Sequence, residues 1–533
     1  AGDATVLVKG LRFSGSAELL EERDKNEVLS RAVGARLGID GILALADWVT
    51  LRLHQNGYLL AQAYVPPQDV TDGVIEIAVV EGHVERVVFD FAAGARVKEA
   101  FLRALADGTL DYGRLRRGDV ETALRRMEGL PGVRARAYLE PGVSLGTTRL
   151  TFRVDEEPVL KAKASITNYG SPSTGRIQNA FGVALVDLTG WGDEVRFQAV
   201  TAQGTNLFQA SASLPLGAMA ALGALSPLSK LAPAGTSAAM GAFADTFARV
   251  HFSRLGYEVL DGAEGAGIAG TSSEWGLGIR RPLVRSRRAN LFAEAGVAWR
   301  AMVDRSAAGV LADRRMQTWS LAFFGDVVDA GGGGVTEWNL KLNIGDLDLS
   351  GAPGNEAADA ASLKTAGEFH SIGASLKRTW RLAGGWSLYA RVAGQWAGKN
   401  LDGSVEFSLG GPQGVRAYPV GEARGDEGAL VNLELRYGPP AWRGVEFKAF
   451  VDAGFIRIHK QPGPLPFLNA CGCNAYGLGG AGVGASVEFK NLAIEVAAAH
   501  ALGENPGRSA AGGTNVDGRR DRWALWFSGS FRF

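Results

Sequence analysis

The sequence lacks every long apolar segment that a membrane-spanning helix requires. Such a helix needs about 20 consecutive apolar residues, and no run of eighteen uncharged apolar residues occurs among the 533 residues of the chain. The nearest approach, residues 214–228, is short and contains Pro215 and Pro227. A helical membrane protein is therefore excluded.

The chain has no excess of either charge and few residues suited to metal binding or catalysis. Lys plus Arg and Asp plus Glu number 56 each, so nothing indicates a nucleic-acid partner. Cys471 and Cys473 are too few for a disulfide framework, and a disulfide or two free thiols are favoured over a metal site. The six histidines form no ligand pair, and no Gly-x-Ser-x-Gly motif occurs. We expect no enzyme activity, no cofactor and no metal.

What the last 375 residues do contain is an alternation of apolar and polar residues. Trp338, Leu340, Leu342 and Ile344 alternate with Asn339, Lys341 and Asn343, and similar alternation recurs at 431–437 and 447–455. One face of each strand would meet lipid and the other a wet interior. The pattern predicts a transmembrane β-barrel over residues 159–533.

The connections between these strands alternate in length, which is typical of outer-membrane barrels. Short turns are expected near 190–193, 285–289, 331–334, 383–386, 439–444 and 490–491. Long loops are expected near 261–270, 304–314, 351–368, 398–428, 458–474 and 501–522. The count predicts sixteen antiparallel strands with both chain ends on one side of the membrane. An Ala/Gly-rich insertion at 217–243 is far too long for the turn expected there.

The first 158 residues contain two copies of a strand-helix-helix-strand-strand pattern. Helices are predicted over about 25–37 and 41–55 in the first copy, and over about 97–106 and 120–130 in the second, with Asp119 as an N-cap. Domain boundaries are expected at 1–82 and 83–158.

The loop at about 399–428 contains the motif Gly-Gly-x-x-Gly-Val-Arg-Ala-Tyr. It resembles the signature loop of the two-partner secretion transporters (TpsB proteins), although Ala417 replaces the usual glycine of Val-Arg-Gly-Tyr. In that family the loop folds back into the pore of the barrel. The resemblance implies site roles for Gly410, Gly411, Gly414, Val415, Arg416 and Tyr418.

A strand segment after this loop carries the second part of the resemblance. Phe450-Val-Asp452-Ala-Gly454 is similar to the family strand whose interior aspartate pairs with the loop arginine. We therefore expect an Arg416–Asp452 salt bridge inside the barrel, with Glu434 as a second lumen-facing candidate. On spacing alone, a solvated loop arginine is the favoured interpretation of Arg416, and the resemblance is what favours the salt bridge.

The N-terminal repeats resemble POTRA domains, which capture the exported protein in an extended form. The match is most specific at 57–73 and 79–82, where the sequence looks like the first POTRA of these transporters. An exposed strand edge could accept the substrate by β-augmentation. Each candidate contact residue could also be ordinary core; the candidates are Tyr58, Tyr64, Pro66, Gln68 and Asp69.

The resemblance implies an outer-membrane pore that exports a large TpsA-type exoprotein in unfolded form. The POTRA domains would lie in the periplasm, the barrel in outer-membrane lipid, and the terminal Phe533 would be read by the barrel-assembly machinery. We expect a monomer with no nucleic-acid partner. The alternative from the same superfamily is a barrel assembly or insertion factor; a ligand-gated nutrient channel and a barrel enzyme fit the sequence less well.

Overall fold

The computed structural model describes residues 5–144, 147–221, 243–260, 267–464 and 466–533. The chain forms two compact units, the first built mainly from residues up to Glu157 and the second from most of the residues after it. The helices are α1 Glu22–Ala32, α2 Ile39–Gln55, α3 Glu99–Asp107, α4 Arg117–Met127, α5 Leu216–Ala221 and α6 Pro353–Ala361. Short 3-10 turns lie at Ala17–Leu19, Ala330–Gly332 and Ala383–Gly385.

The first unit consists of two modules, each with a three-stranded sheet and two helices. The first module contains β1 Val6–Leu7, β2 Gly10–Gly15, β3 Arg36–Leu37, β4 Gln62–Tyr64 and β5 Val74–Val80. The second contains β6 His83–Phe91, β7 Val133–Pro141 and β8 Thr147–Glu156. In each sheet the central strand, β5 or β8, pairs parallel with the first strand and antiparallel with the other.

The helices of the first unit form where apolar residues recur at helical spacing. In α2 the residues at positions 42, 45, 46, 49 and 53 are buried, which places one apolar stripe against the sheet. The first helix was expected over 25–37 but spans Glu22–Ala32, and Gly34 follows it at φ +87°. The prediction of Asp119 as an N-cap is wrong. Arg116 holds that position, and Asp119 lies in the first turn of α4, where its charge still favours the positive end of the helix dipole.

The second unit is a closed barrel of sixteen strands, as the sequence predicts. All neighbours are antiparallel, and β26 pairs with β9 to close the ring. The strands in chain order are β9 Leu160–Thr167, β10 Gln178–Val186, β11 Glu194–Ala202, β12 Thr205–Pro215, β13 Phe247–Glu258, β14 Ala269–Arg285, β15 Ala289–Ser306, β16 Gly309–Val328, β17 Gly334–Asp348, β18 Gly367–Arg381, β19 Trp386–Ala397, then the short loop strands β20 Phe407–Ser408 and β21 Arg424–Gly425, and finally β22 Glu427–Tyr437, β23 Val445–Arg457, β24 Ala475–Phe489, β25 Leu492–Leu502 and β26 Trp523–Arg532.

The barrel wall has one apolar face and one polar face. On β14 the side chains of Trp275, Leu277 and Ile279 are exposed on the outer surface, whereas Glu274 and Arg280 line an interior cavity. Closure pairs the backbone groups of every strand, which a barrel in lipid must do because hydrocarbon offers no hydrogen-bond partner.

Two of the predicted connections need comment. The prediction of a long loop at 304–314 is wrong. Strand β15 ends only at Ser306 and β16 begins at Gly309, with a bulge at Asp304/Arg305. The charged residues there lie on both faces of the two long strands, with Arg314 on the inward face and Asp313 and Arg315 on the opposite face. Most of the 217–243 insertion lies outside the described residues. Among the residues that are described, no helix is long and apolar enough to cross a membrane.

Candidate functional site: a loop held inside the barrel

The loop between β19 and β22 folds against the inner face of the barrel wall. Its two short strands, β20 and β21, pair with each other, and the segment between them carries the Gly-rich motif. Val415, Ala417 and Tyr418 are buried. They belong to an apolar cluster with Leu430 and Phe450 of the wall, so the tip of the loop has its own packed core.

Arg416 lies at the centre of this tip and bonds two carboxylates of the wall. Its guanidinium donates from Nε and Nη2 to the two oxygens of Asp452, at 2.9 and 2.7 Å, and from Nη1 to Glu434 at 2.5 Å. The backbone N–H of Arg416 also donates to Asp452, at 3.0 Å. The bidentate geometry uses the planar fork that distinguishes arginine from lysine.

Both carboxylates have further partners, which complete a buried polar network. Asn432 donates to Asp452 at 2.8 Å and to the carbonyl of Gly414 at 2.9 Å. Glu434 also accepts a hydrogen bond from Arg436, at 2.8 Å. Two guanidinium groups thus face two carboxylates, and the Asp452 side chain is fully buried. A network that is balanced and satisfied avoids the penalty of isolated buried charge.

Two aromatic side chains of the wall contact Arg416, one at its guanidinium and one at its backbone carbonyl. The guanidinium carbon of Arg416 lies 3.5 Å from the ring centroid of Phe450, a cation–π contact. The indole N–H of Trp526 donates to the carbonyl of Arg416 at 2.6 Å. Trp526 was not identified from the sequence because attention fell on its neighbours Leu525 and Phe527, which face outward. Side chains alternate along a strand, so a residue between two outward-facing residues of β26 is expected to face the lumen.

The glycines of the motif permit close approaches within the loop. A Cβ on Gly414 would lie 1.7 Å from the carbonyl oxygen of Leu409, and one on Gly410 would lie 2.2 Å from that of Pro419. Gly411 adopts φ +102°, a conformation that side chains disfavour. The path of the tip therefore requires glycine at all three positions.

Ala417, the departure from the family motif, is matched by a glycine on the wall. A Cβ added to Gly480 of β24 would lie 2.6 Å from the Cβ of Ala417. The extra methyl group in the loop therefore occupies space that the wall leaves empty.

Two buried carboxylates, Glu422 and Asp426, lie on either side of β21 and fix this end of the loop, the stem. Asp426 accepts from the backbone N–H groups of Leu401 and Lys460, at 2.8 and 2.7 Å. Glu422 accepts from the Asn505 side chain and the Val516 backbone, both at 2.7 Å. The stem is thereby tied to the loops at 458–474 and 501–522. No sequence pattern indicated these contacts, because they join loops that are distant in the chain.

The POTRA candidates fall into two groups. Tyr64 lies on β4, which forms an outer edge of its sheet, and its side chain is 49% exposed. The outer edge of β4 is partly occupied, because the Ala63 N–H donates to Thr50 of α2 at 2.9 Å. Pro66 is half-buried next to this strand. Tyr64 therefore presents an exposed aromatic side chain beside this strand edge.

Tyr58, Gln68 and Asp69 serve contacts within the unit. Tyr58 packs against the apolar core of the first module and beneath the guanidinium of Arg116. The Gln68 amide bonds both backbone groups of Glu76, at 2.8 and 2.6 Å. Asp69 accepts from the N–H and hydroxyl of Thr71, and these hydrogen bonds lower the pKa of its carboxyl.

The sequence left the state of the cysteines open. Cys471 and Cys473 form a disulfide. Within the described ranges, no group of three or more His, Cys, Asp or Glu residues is arranged to hold a metal ion.

Comparison with known proteins gives matches over both units. Residues 6–82 match the family described as POTRA domain, ShlB-type, and residues 255–487 match haemolysin secretion/activation protein ShlB/FhaC/HecB. The Heme/hemopexin transporter protein HuxB of Haemophilus influenzae is 23% identical over 509 residues, 93% of this chain and 85% of the relative. The Outer membrane transporter CdiB of Dickeya dadantii is 23% identical, covering 85% of this chain and 77% of the relative.

Solved structures share the fold. CdiB from Escherichia coli aligns with a TM-score of 0.70 at 18% identity, covering 99% of this chain and 91% of that one. BamA from Haemophilus ducreyi lacking POTRA domains 1–3 aligns with a TM-score of 0.55 at 12% identity, covering 99% and 100%.

Proposed function

We infer that this chain, which belongs to the haemolysin secretion/activation family of two-partner secretion transporters, exports a large partner exoprotein across the Gram-negative outer membrane. The observation that carries this proposal is the Arg416 loop, folded into a closed barrel that a POTRA-type unit precedes in the chain. The loop occupies part of the lumen, and its residues Glu422 and Asp426 hydrogen-bond to the neighbouring loops. Its position suits a channel element that is held closed until substrate arrives.

The exported protein crosses the barrel unfolded in this proposal. The lumen wall carries charged and polar side chains such as Glu274, Arg280 and Arg300, which an extended chain can pass while remaining hydrated. The POTRA-type unit lies in the periplasm and presents Tyr64 and the adjoining edge of β4 to the substrate. Folding outside the cell would then favour net outward movement.

The remaining partners follow from the surface of the barrel. Its outer face displays aromatic and aliphatic side chains suited to outer-membrane lipid. Phe533 at the chain end is 69% exposed, and we propose that the barrel-assembly machinery reads it. A closed ring completes its sheet without a strand from a second chain, which agrees with the monomer that we propose.

An export assay with the partner exoprotein tests the proposal. We expect the wild type to secrete the exoprotein, and Arg416→Ala and Asp452→Ala to insert as folded barrels but to lose most secretion. Each change leaves a buried partner charge poorly compensated, at a typical cost of about 3–5 kcal/mol. Lys448→Gln is the matched control, since it removes a different interior ion pair, with Glu495, from the same strand.

Two outcomes would contradict the proposal in different ways. Normal secretion by both alanine variants would show that the Arg416 network is dispensable. A wild type that secretes nothing but supports insertion of other barrels would replace the exporter assignment with an assembly factor.

A further inference from the structure

A second charged cluster fixes the first residues of the loop to another sector of the barrel wall. Arg314 of β16 donates from Nη1 to Asp402 at 2.7 Å and from Nη2 to Asp304 of β15 at 2.6 Å. Tyr257 of β13 donates to Asp304 at 2.6 Å. Along the wall, β17, β18, β19 and β22 separate Arg314 from the strand that carries Asp452.

Apolar packing places Asp402 against this cluster. Leu401 is buried with Met302, Met316 and Phe369, which face inward from β15, β16 and β18, and Val405 packs against the same group. Asp402 also accepts from the backbone N–H of Ser404 at 2.9 Å, which orients its carboxylate. The Asp402 side chain is 7% exposed. The contact is therefore built into the fold of the loop.

We propose that Arg314 and Asp402 form a latch that holds the loop across the lumen, and that export requires this latch to open. The proposal rests on the export function inferred above. Arg416 fixes the tip to β22 and β23, and the latch fixes the beginning of the loop to β15 and β16. The loop is then a strap attached on two sides, and releasing one side widens the path.

The latch is the attachment that opens at the lower cost. When Asp402 leaves, Arg314 remains paired with Asp304, which also keeps Tyr257, so the wall stays compensated. When Arg416 leaves, Asp452 is left with Asn432 in a fully buried site. Removing one member of a buried pair is far costlier than opening a partly exposed one. Arg314, at 20% side-chain exposure, is the more accessible of the two arginines.

Ionic current through the full chain in planar bilayers tests the latch without any exoprotein. Asp402→Asn should raise the fraction of time in the open state about twofold to fivefold, as expected for loss of one ion pair. Arg314→Gln should raise it at least as much, because it also removes the ion pair with Asp304. The double variant should open no more often than Arg314→Gln alone, because Arg314→Gln already removes the contact with Asp402. Asp402→Glu keeps the charge and should restore a largely closed channel.

Arg378→Gln is the control, because Arg378 is about as exposed as Arg314 and its ion pair, with Asp329 at 2.6 Å, lies away from the loop. Heat-modified electrophoretic mobility shows that each variant has folded. An open fraction in Asp402→Asn and Arg314→Gln equal to that of Arg378→Gln would overturn the latch and leave the export function standing. The current is recorded without substrate, so a failed secretion assay would count against the export function alone.

Discussion

At the scale of single residues, the site depends on Arg416. Its guanidinium donates to two carboxylates, and its backbone carbonyl accepts a hydrogen bond from the indole of Trp526. Lysine could reach one carboxylate but could not reproduce the paired donors of Arg416. The surrounding residues are equally specific in shape. Gly480 is the clearest case, because its missing side chain makes room for Ala417.

This contact between Ala417 and Gly480 gives a prediction with an internal rescue. Gly480→Ala would place two methyl carbons 2.6 Å apart, and overpacking of this kind typically costs about 1–3 kcal/mol. We expect a lower temperature of barrel unfolding and reduced export. Ala417→Gly added to Gly480→Ala should restore both, because it removes the opposing methyl group.

The measurement is heat-modified mobility over a temperature series, with secretion assayed in parallel. Ala417→Gly alone serves as the control and should change either property little. A double variant no better than Gly480→Ala would show that the clash lies elsewhere on the wall.

Much of this residue-scale arrangement was accessible from the sequence. The resemblance of the motif around Arg416 and of the strand carrying Asp452 to the family pattern predicted the pair that the structure places in contact. The contacts of Asn432 and Trp526 were not predicted: alternation places Trp526 on the lumen face, but the residue that each side chain meets depends on cross-strand register. Register brings together residues that are far apart in the chain, and it cannot be predicted from the local sequence pattern.

At the scale of elements, strands were easier to predict than connections. Alternation is intrinsic to a strand with one lipid face, so all sixteen barrel strands could be counted. The prediction of a long loop at 304–314 was wrong because long strands that extend past the apolar band carry polar residues on both faces, as loops do. The stem contacts of Glu422 and Asp426 join separate loops, and contacts between loops cannot be predicted from hydrophobic periodicity.

The edge strand β4 supports a second prediction at this scale. Tyr64→Ser should reduce export several-fold, because it removes an exposed aromatic contact for an extended substrate while leaving the core unchanged. Tyr138→Ser is a matched control: this tyrosine is similarly exposed, at 47%, on β7 of the second module. Secretion of the exoprotein is the readout, with protease resistance of the N-terminal unit as a test of folding. Equal loss in both variants would contradict a specific role for β4.

At the scale of the whole molecule, the chain combines a closed wall with an interior loop attached at several points. Closure removes the strand edges that would otherwise aggregate, and the polar lumen then needs an obstruction when no substrate is passing. The tip network around Arg416 is a deeply buried attachment that joins the loop to two wall carboxylates. The account therefore depends above all on whether Arg416 and Asp452 act as one unit during export.

A double-mutant cycle on secretion tests that claim most directly. Export is measured for wild type, Arg416→Ala, Asp452→Ala and the double variant, at matched amounts of folded barrel in the outer membrane. If the two residues act together, the double variant loses no more export than either single variant. Losses that multiply in the double variant, or wild-type export from either single variant, would contradict the account.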